Sequence, residues 1–204
     1  LDTRLFFHNF SIYGALLVDD YQLEKDPNNE PNHLGMKIGA EFADLLRFKR
    51  SFLIFEYTAI TRYTYCHFVP YQRYEFRHTP IGAIYGNDYD NLFMKLVRHQ
   101  TPKFDWYTIF SYLRKGESKI TTIWPIPEQP RVPGTEFPSN NFLSGCVQHS
   151  YTIGGGVRFF LKHWAFGEFY LGYLYIKNFE HKNGNTKTSI SFKLQFDILN
   201  ISGM

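Results

Sequence analysis

The segment 190–198 constrains the fold most, because apolar and polar side chains alternate along it with a period of two. Ile190, Phe192, Leu194, Phe196 and Ile198 are apolar, and every position between them is polar or charged. Successive side chains of a β-strand point to opposite faces of the sheet, so this spacing predicts an extended strand. One face of the strand would be apolar and the other polar.

The same alternation recurs along the chain in segments that are separated by alternately long and short connections. The predicted strands are 10–18, 34–42, 53–63, 92–97, 104–112, 147–161, 169–175 and 190–198. The long connections, 19–33, 66–90 and 114–143, are rich in Pro and Gly, whereas 45–50, 100–103 and 162–165 are short. Outer-membrane barrels have long loops at the extracellular rim and tight turns at the periplasmic rim. On this map, both ends of the chain lie on the side of the short turns.

Composition agrees with strands that meet a membrane. Aromatic residues make up 19% of the 204 residues, with 21 Phe and 15 Tyr, as the aromatic girdles of a membrane barrel would require. No apolar run approaches the roughly 18 residues of a spanning helix, and a net charge of +3 is too small to indicate a nucleic-acid partner. We predict an all-β chain, with residues 1–204 in one domain that forms an antiparallel up-and-down transmembrane β-barrel with about eight visible strands. The apolar positions of 190–198 would face lipid, and a soluble β-sandwich is the alternative.

Charged residues within the predicted strands share the polar face and would point into the lumen. Both signs are present, so they are expected to pair across strands as an ionic network; a polar conduit for solutes is the alternative. They are Lys37, Glu41, Glu56, Arg62, Lys95, Arg158, Glu168, Lys193 and Asp197.

The second and third long loops combine aromatic rings with carboxylate, amide and guanidinium groups. Sugars offer apolar C–H faces and hydroxyl groups, which such side chains bind by stacking and hydrogen bonding. We therefore predict a glycan-binding surface there, although an aromatic rim packed by its own loops would give the same composition. The candidate residues are Tyr71, Arg73, Tyr74, Tyr85, Asn87, Asp88, Asp90, Trp124 and Arg131.

Two further features bear on catalysis and covalent structure. His149 and Ser150 raise the possibility of a lipid-hydrolysing barrel, but neighbours on a strand point to opposite faces, which disfavours a catalytic pair. Cys66 and Cys146 both lie at the loop ends of their strands, where either a disulfide or two free thiols is possible. Their spacing does not suit a metal site, and we predict neither a metal nor a cofactor.

Two segments resemble a known family. Residues 13–20, Tyr-Gly-Ala-Leu-Leu-Val-Asp-Asp, and 80–92, Pro-Ile-Gly-Ala-Ile-Tyr-Gly-Asn-Asp-Tyr-Asp-Asn-Leu, are similar to motifs of the Wzi capsule-assembly family of outer-membrane proteins. Ile54-Phe55-Glu56-Tyr57 fits the same order, and the resemblance spans roughly residues 10–115. It implies an outer-membrane protein that retains capsular polysaccharide on a Gram-negative-type cell. It also implies a barrel of many more than eight strands, of which this chain is the C-terminal part.

We therefore expect a non-enzymatic outer-membrane protein that binds or anchors capsular or extracellular polysaccharide, with outer-membrane lipid around it. A lipid hydrolase and a porin-like channel are the alternatives. A channel would need an open lumen, and a hydrolase would need a serine beside a histidine.

Overall fold

The fold is all-β. The computed structural model describes residues 1–21, 32–45, 48–67, 69–77, 79–122, 142–162 and 165–198. The strands are β1 Asp2–Phe6, β2 Phe10–Asp20, β3 His33–Ala43, β4 Ser51–Ile60, β5 Glu75–Phe76, β6 Thr79–Pro80, β7 Tyr89–Thr101, β8 Phe104–Lys115, β9 Gln148–Lys162, β10 Ala165–Lys177 and β11 Thr186–Ile198. Within these ranges, no helix has both the length and the apolar character needed to cross a membrane.

Nine strands form one antiparallel sheet in the order β1-β2-β3-β4-β7-β8-β9-β10-β11, and β5 pairs with β6 in a separate hairpin. Neighbours in the large sheet follow each other along the chain, so the sheet is an up-and-down meander. The connections 21–32, 61–88, 116–147 and 178–185 leave from one edge, which we call the long-loop edge. The connections 7–9, 44–50, 102–103 and 163–164 leave from the opposite, short-turn edge. The predicted antiparallel meander and its alternation of loop length are confirmed.

Two sequence predictions about the strand map are wrong. The sheet contains a ninth strand, β1, which pairs Asp2 with Ala15 and Phe6 with Ser11. This strand runs from the long-loop edge towards the short-turn edge, so the start of the chain does not lie among the short turns. Arg62, which was predicted to lie within a strand, follows the last residue of β4 and belongs to the long connection.

One face of the sheet is apolar and exposed. Ile190, Phe192 and Leu194 of β11 are 74%, 77% and 60% exposed. Their partners on β10 are Tyr173, Leu171 and Phe169, so the apolar rows continue from strand to strand. The same face carries the exposed apolar side chains Ile12, Leu16, Met36, Ile38, Phe55 and Ile153. The face predicted from the period-two pattern is therefore present across the sheet.

The opposite, polar face is packed by tyrosine rings that lie over glycines. A Cβ atom on Gly39 would come within 2.3 Å of the Tyr13 ring, and one on Gly156 within 2.6 Å of the Tyr107 ring. The rings of Tyr107 and Tyr170 are stacked, with centroids 6.1 Å apart. Glycine at these positions lets large rings lie flat on the sheet, where their hydroxyl groups reach charged side chains.

The two outermost strands of the sheet, β1 and β11, each have one side with no partner strand. In the described chain, β1 pairs with β2 alone and β11 with β10 alone. Pairing of 5–18 with 188–198, which would close eight strands into a small barrel, is absent from the described residues. The sheet is open as it stands.

Candidate functional site

Charged side chains on the polar face pair across strands, as the sequence analysis expected. Lys37 Nζ lies 3.2 Å from Glu56 Oε1, and the Tyr13 hydroxyl donates to Glu56 Oε2 over 2.7 Å. A second cluster centres on Glu168, which accepts hydrogen bonds from Tyr107 at 2.7 Å and Lys193 at 3.0 Å. Each carboxylate therefore has both a cation and a phenol as partners, which offsets its partial burial.

A groove of about 380 Å³ opens on the polar face beside the long-loop edge. The sheet supplies its floor through Lys37 and Glu56, with Thr58 and Asn91 closer to the edge. The turn 81–85 forms part of its wall. We call this cavity the tyrosine groove, because Tyr65, Tyr85 and Tyr89 all contribute rings to its lining.

Local packing holds these rings in place. The Tyr65 ring lies against Gly82, where a Cβ atom would come within 2.6 Å of it, and stacks on Tyr74 with centroids 5.5 Å apart. The Tyr74 N–H donates to the Tyr65 carbonyl at 3.3 Å, and the Ile81 N–H donates to the Tyr74 carbonyl at 3.1 Å. The hairpin β5–β6 and the turn after it are thus tied to the Tyr65 backbone. The groove wall is built by the long loop itself.

The groove offers the groups that a polar ligand with apolar faces would use. Tyr85 and Tyr89 meet edge to face at 5.3 Å, which leaves ring surface for stacking. Burial, with a smaller contribution from Asp19, raises the pKa of the Tyr65 hydroxyl, so this group stays protonated and able to donate. The Lys37–Glu56 pair adds a cation and a carboxylate within the same cavity. Stacking surfaces beside donors and acceptors are the requirements of sugar binding.

Asn87 and Asp88 do not form part of this surface. Both side chains are fully buried, at 0% exposure, so neither presents a surface that a glycan could contact in this structure. Asn87 Nδ2 donates to the Arg62 carbonyl and lies 3.2 Å from Cys66 Sγ. These contacts fix the turn that precedes β7, so Asn87 has a positioning role.

Asp88 joins two long connections. Its carboxylate accepts from the backbone N–H groups of Ser118 at 3.1 Å and Ser144 at 3.2 Å, and from the Ser144 hydroxyl. Its backbone N–H donates to the Thr61 carbonyl at 3.2 Å. Gly116 leaves space for this carboxylate, because a Cβ atom there would come within 2.1 Å of Asp88 Oδ2. One buried acid therefore fastens both described ends of the third long loop to the second.

Asp90 also serves a structural pairing, on the apolar face near the long-loop edge. It is 3% exposed. Its carboxylate accepts from the Arg114 guanidinium through two hydrogen bonds and from the Tyr57 hydroxyl at 2.9 Å. The prediction that Asp90 contacts a glycan does not fit this buried position.

The remaining predicted site residues are dispersed. Tyr71 is 85% exposed and does not line the tyrosine groove, and Arg73 Nε donates to the His67 carbonyl at 3.0 Å. Tyr74 does not line the groove but stacks on Tyr65, which does, and Tyr85 lines the groove directly. Trp124 and Arg131 lie outside the described residues.

Sequence reasoning missed Tyr65 and Tyr89 as groove residues. Tyr65 lies in a loop, where no periodicity marks which side chains meet. Tyr89 begins β7 and shares the polar face with Asn91, so the two-residue spacing between them was the available signal.

A Ser–His catalytic pair is absent at 149 and 150. His149 aligns with Arg114 on the apolar face and lies 2.9 Å from the Tyr112 hydroxyl, whereas Ser150 aligns with Leu113 on the opposite face. Both cysteines are free thiols, and no group of three or more His, Cys, Asp or Glu side chains among the described residues is arranged to hold a metal ion.

Comparisons with protein-family models, curated proteins and solved structures found no match to this chain.

Proposed function

We propose that this chain is a non-enzymatic outer-membrane protein that binds or anchors capsular or extracellular polysaccharide through the tyrosine groove. The proposal has two parts, a location in the membrane and a ligand. The residues 13–20 and 80–92, which resemble the Wzi family, favour both parts.

The exposed apolar face supports the membrane location. Its apolar rows extend over several neighbouring strands, and soluble proteins rarely leave so large an apolar surface uncovered. Tyrosines lie in one row near the long-loop edge, where Tyr112, Tyr151 and Tyr175 are cross-strand neighbours. A row of aromatic side chains at the rim of an apolar band is typical of membrane barrels.

The open edges support the larger barrel that the resemblance implies. Lipid provides no hydrogen-bond partner for the exposed backbone of an edge strand, so a sheet in a membrane must close. Further strands between β11 and β1 would satisfy both edges. Antiparallel pairing of added strands with 186–198 and 2–6 is the arrangement we propose.

The tyrosine groove carries the ligand proposal. It lies at the long-loop edge, which faces the cell exterior in a barrel with short periplasmic turns. It also combines ring faces with a charged pair and an amide. A channel is less well supported, because Glu56, Glu168 and Glu41 each pair with a cation across the polar face.

The experiment compares two tyrosines of the same loop. Tyr85→Ala removes a groove wall, and Tyr71→Ala removes an exposed ring outside the groove. We expect Tyr85→Ala to weaken binding of purified capsular polysaccharide by roughly fivefold to 150-fold, which corresponds to the loss of about 1–3 kcal/mol when an aromatic contact residue is truncated. Tyr71→Ala should bind like the unchanged protein. Point substitutions are preferable to deletion of 70–90, which would remove the buried Asp88 anchor.

Binding is measured on refolded protein, and capsule retention on cells whose surface level of the protein has been matched. Equal binding by both variants would exclude the groove as the site. If only Tyr71→Ala lost binding, the polysaccharide would bind to the exposed loop surface around Tyr71 and not to the groove. Release of fatty acid from phospholipid, abolished by Ser150→Ala, would replace the proposal with a hydrolase.

A further inference from the structure

A second groove, of about 370 Å³, lies on the apolar face. It lies on the opposite face of the sheet from the tyrosine groove and runs up the sheet from the short-turn edge. Leu53, Leu96, Met94 and Phe110 supply its floor, and its lining is almost entirely apolar. We call it the apolar groove.

The groove arises from two features of the sequence. Thr108 and Gly155 are cross-strand neighbours on this face. They lie between the row of Phe110 with Ile153 and the row of Trp106 with Val157. The small pair leaves a hollow between larger side chains. At the short-turn edge, Leu45 and Phe48 of the β3–β4 turn fold onto the same face and raise one wall. This turn is fixed by the Ser51 hydroxyl, which donates to the Phe48 carbonyl at 2.5 Å.

A cation adjoins the groove at its end nearest the short-turn edge, without itself lining the cavity. Arg98 is the cross-strand partner of Ser51, which lines the groove, and its guanidinium carbon lies 5.4 Å from the centre of the Phe48 ring. Arg98 Nε is buried and has no hydrogen-bond partner among the described residues. Buried polar atoms are normally paired, so an acceptor that reached this N–H from the apolar face would supply a partner that it lacks.

The order of groups along the face matches one kind of ligand. From the interior of the sheet towards the short-turn edge, the rows carry Phe110, then Thr108 with Leu96, then Arg98 with Trp106. Beyond them the β7–β8 turn carries Lys103. An acyl chain with a phosphate at its outer end has the same order, apolar first and anionic second. Arginine is suited to phosphate because it presents several N–H donors in a plane.

We propose that the apolar groove binds a phospholipid of the leaflet nearest the short turns, with an acyl chain against Leu96 and Thr108 and the phosphate on Arg98. This inference rests on the proposed membrane location but not on the polysaccharide. Anionic phospholipid is favoured over zwitterionic phospholipid, because the guanidinium of Arg98 adjoins this end of the groove. A soluble apolar ligand would fill the groove without using the arginine.

Trp106 provides the probe, since it is the cross-strand partner of Arg98 on the same face. Residues 1–204 contain three Trp, so Trp124→Phe and Trp164→Phe leave Trp106 as the one tryptophan of this chain, and any Trp in the further strands proposed above is replaced by Phe as well. This protein is refolded into phosphatidylcholine vesicles that contain brominated phosphatidylglycerol or brominated phosphatidylcholine at equal mole fraction. Bromine quenches tryptophan fluorescence at short range, so the ratio of quenching gives the relative affinity of the two lipids for the site.

We expect the site to prefer phosphatidylglycerol by about fivefold, the effect of one arginine near an anionic headgroup. Arg98→Gln should bring the ratio close to one, while Lys103→Gln, a charge removed from the same edge but outside the groove, should leave most of the preference. Thr108→Phe, which fills the groove, should reduce quenching by both brominated lipids.

A ratio of one in the unchanged protein, or a preference that survives Arg98→Gln, would overturn the phospholipid site. Equal quenching before and after Thr108→Phe would overturn the acyl-chain position. Absence of quenching by either brominated lipid in every variant would refute the membrane location itself. That outcome is independent of the polysaccharide-binding measurement, so the two proposals fail separately.

Discussion

Replacing Leu194 with arginine distinguishes a lipid environment from water. Leu194 is 60% exposed on the apolar face, and its neighbour Gln195 points to the polar face. On β11 the tyrosine row of the sheet aligns with Thr188, and the apolar positions continue to Ile198. Leu194 therefore lies near the middle of the apolar rows. Five apolar positions spaced two residues apart span roughly 26 Å along the strand, and a strand tilt of about 40° reduces this to roughly 20 Å.

That height is close to the apolar band of about 25 Å in membrane barrels, so Leu194 would lie near the bilayer midplane. An arginine there costs about 2–4 kcal/mol. The equilibrium constant for folding into the bilayer should then fall by roughly thirtyfold to eight-hundredfold. In water, an arginine at an exposed position would cost almost nothing, typically within about 0.5 kcal/mol.

The assay is reversible unfolding in urea of protein embedded in phosphatidylcholine vesicles. Gln195→Arg is the matched control, because it adds the same charge one residue away, beside Asp197, to which Gln195 already donates. The control should keep most of the stability. If Leu194→Arg and Gln195→Arg shift the unfolding midpoint equally, the apolar face does not contact lipid, and a soluble β-sandwich becomes the better interpretation.

Three further predictions test packing, loop attachment and thiol reactivity. Gly156→Ala should destabilise the sheet by about 1–3 kcal/mol in urea unfolding, because the new methyl group meets the Tyr107 ring. Gly14→Ala is the control, because a Cβ atom there would have its nearest neighbour at 3.6 Å. Asp88→Asn, which removes a charged acceptor but tolerates the positive φ of 54°, should speed proteolysis of the third long loop without unfolding the strands. Burial raises the pKa of Cys66 to about 12, so at pH 8 maleimide should modify Cys146 first; equal rates would contradict the buried position.

The strands and their faces were predictable because a period of two is a local signal. Every segment predicted from alternation overlaps a strand, and 190–198 has the faces expected of it. β1 was missed because Asp2–Phe6 has only five residues, too few to establish a period of two. Leu5 is its one apolar residue on the apolar face of the sheet. The backbone pairing with β2 makes this segment a strand, although its own sequence pattern does not predict one.

The site was less predictable, because loops have no periodicity. The amide of Asn87 and the carboxylate of Asp88 lie beside aromatic residues in the sequence, which is why we predict both for the glycan surface. The structure buries Asp88 because the backbone N–H groups of Ser118 and Ser144 donate to its carboxylate, and it buries Asn87 because its amide donates to the Arg62 carbonyl. The sequence Gly86-Asn87-Asp88 does contain a signal of this, because Gly86 and Asp88 both adopt positive φ.

The two faces of the sheet differ in what they still require, and this asymmetry is the physical argument for a membrane. A β-sandwich buries the apolar faces of two sheets against each other, so its apolar face is covered and its polar face meets water. Here no described element covers the apolar face, and Phe192 remains 77% exposed. On the polar face, in contrast, tyrosine rings lie on the glycines and carboxylates pair with cations such as Lys37 and Lys193. A sheet whose polar side is already packed and whose apolar side is uncovered matches a barrel wall between lumen and lipid more closely than half of a sandwich.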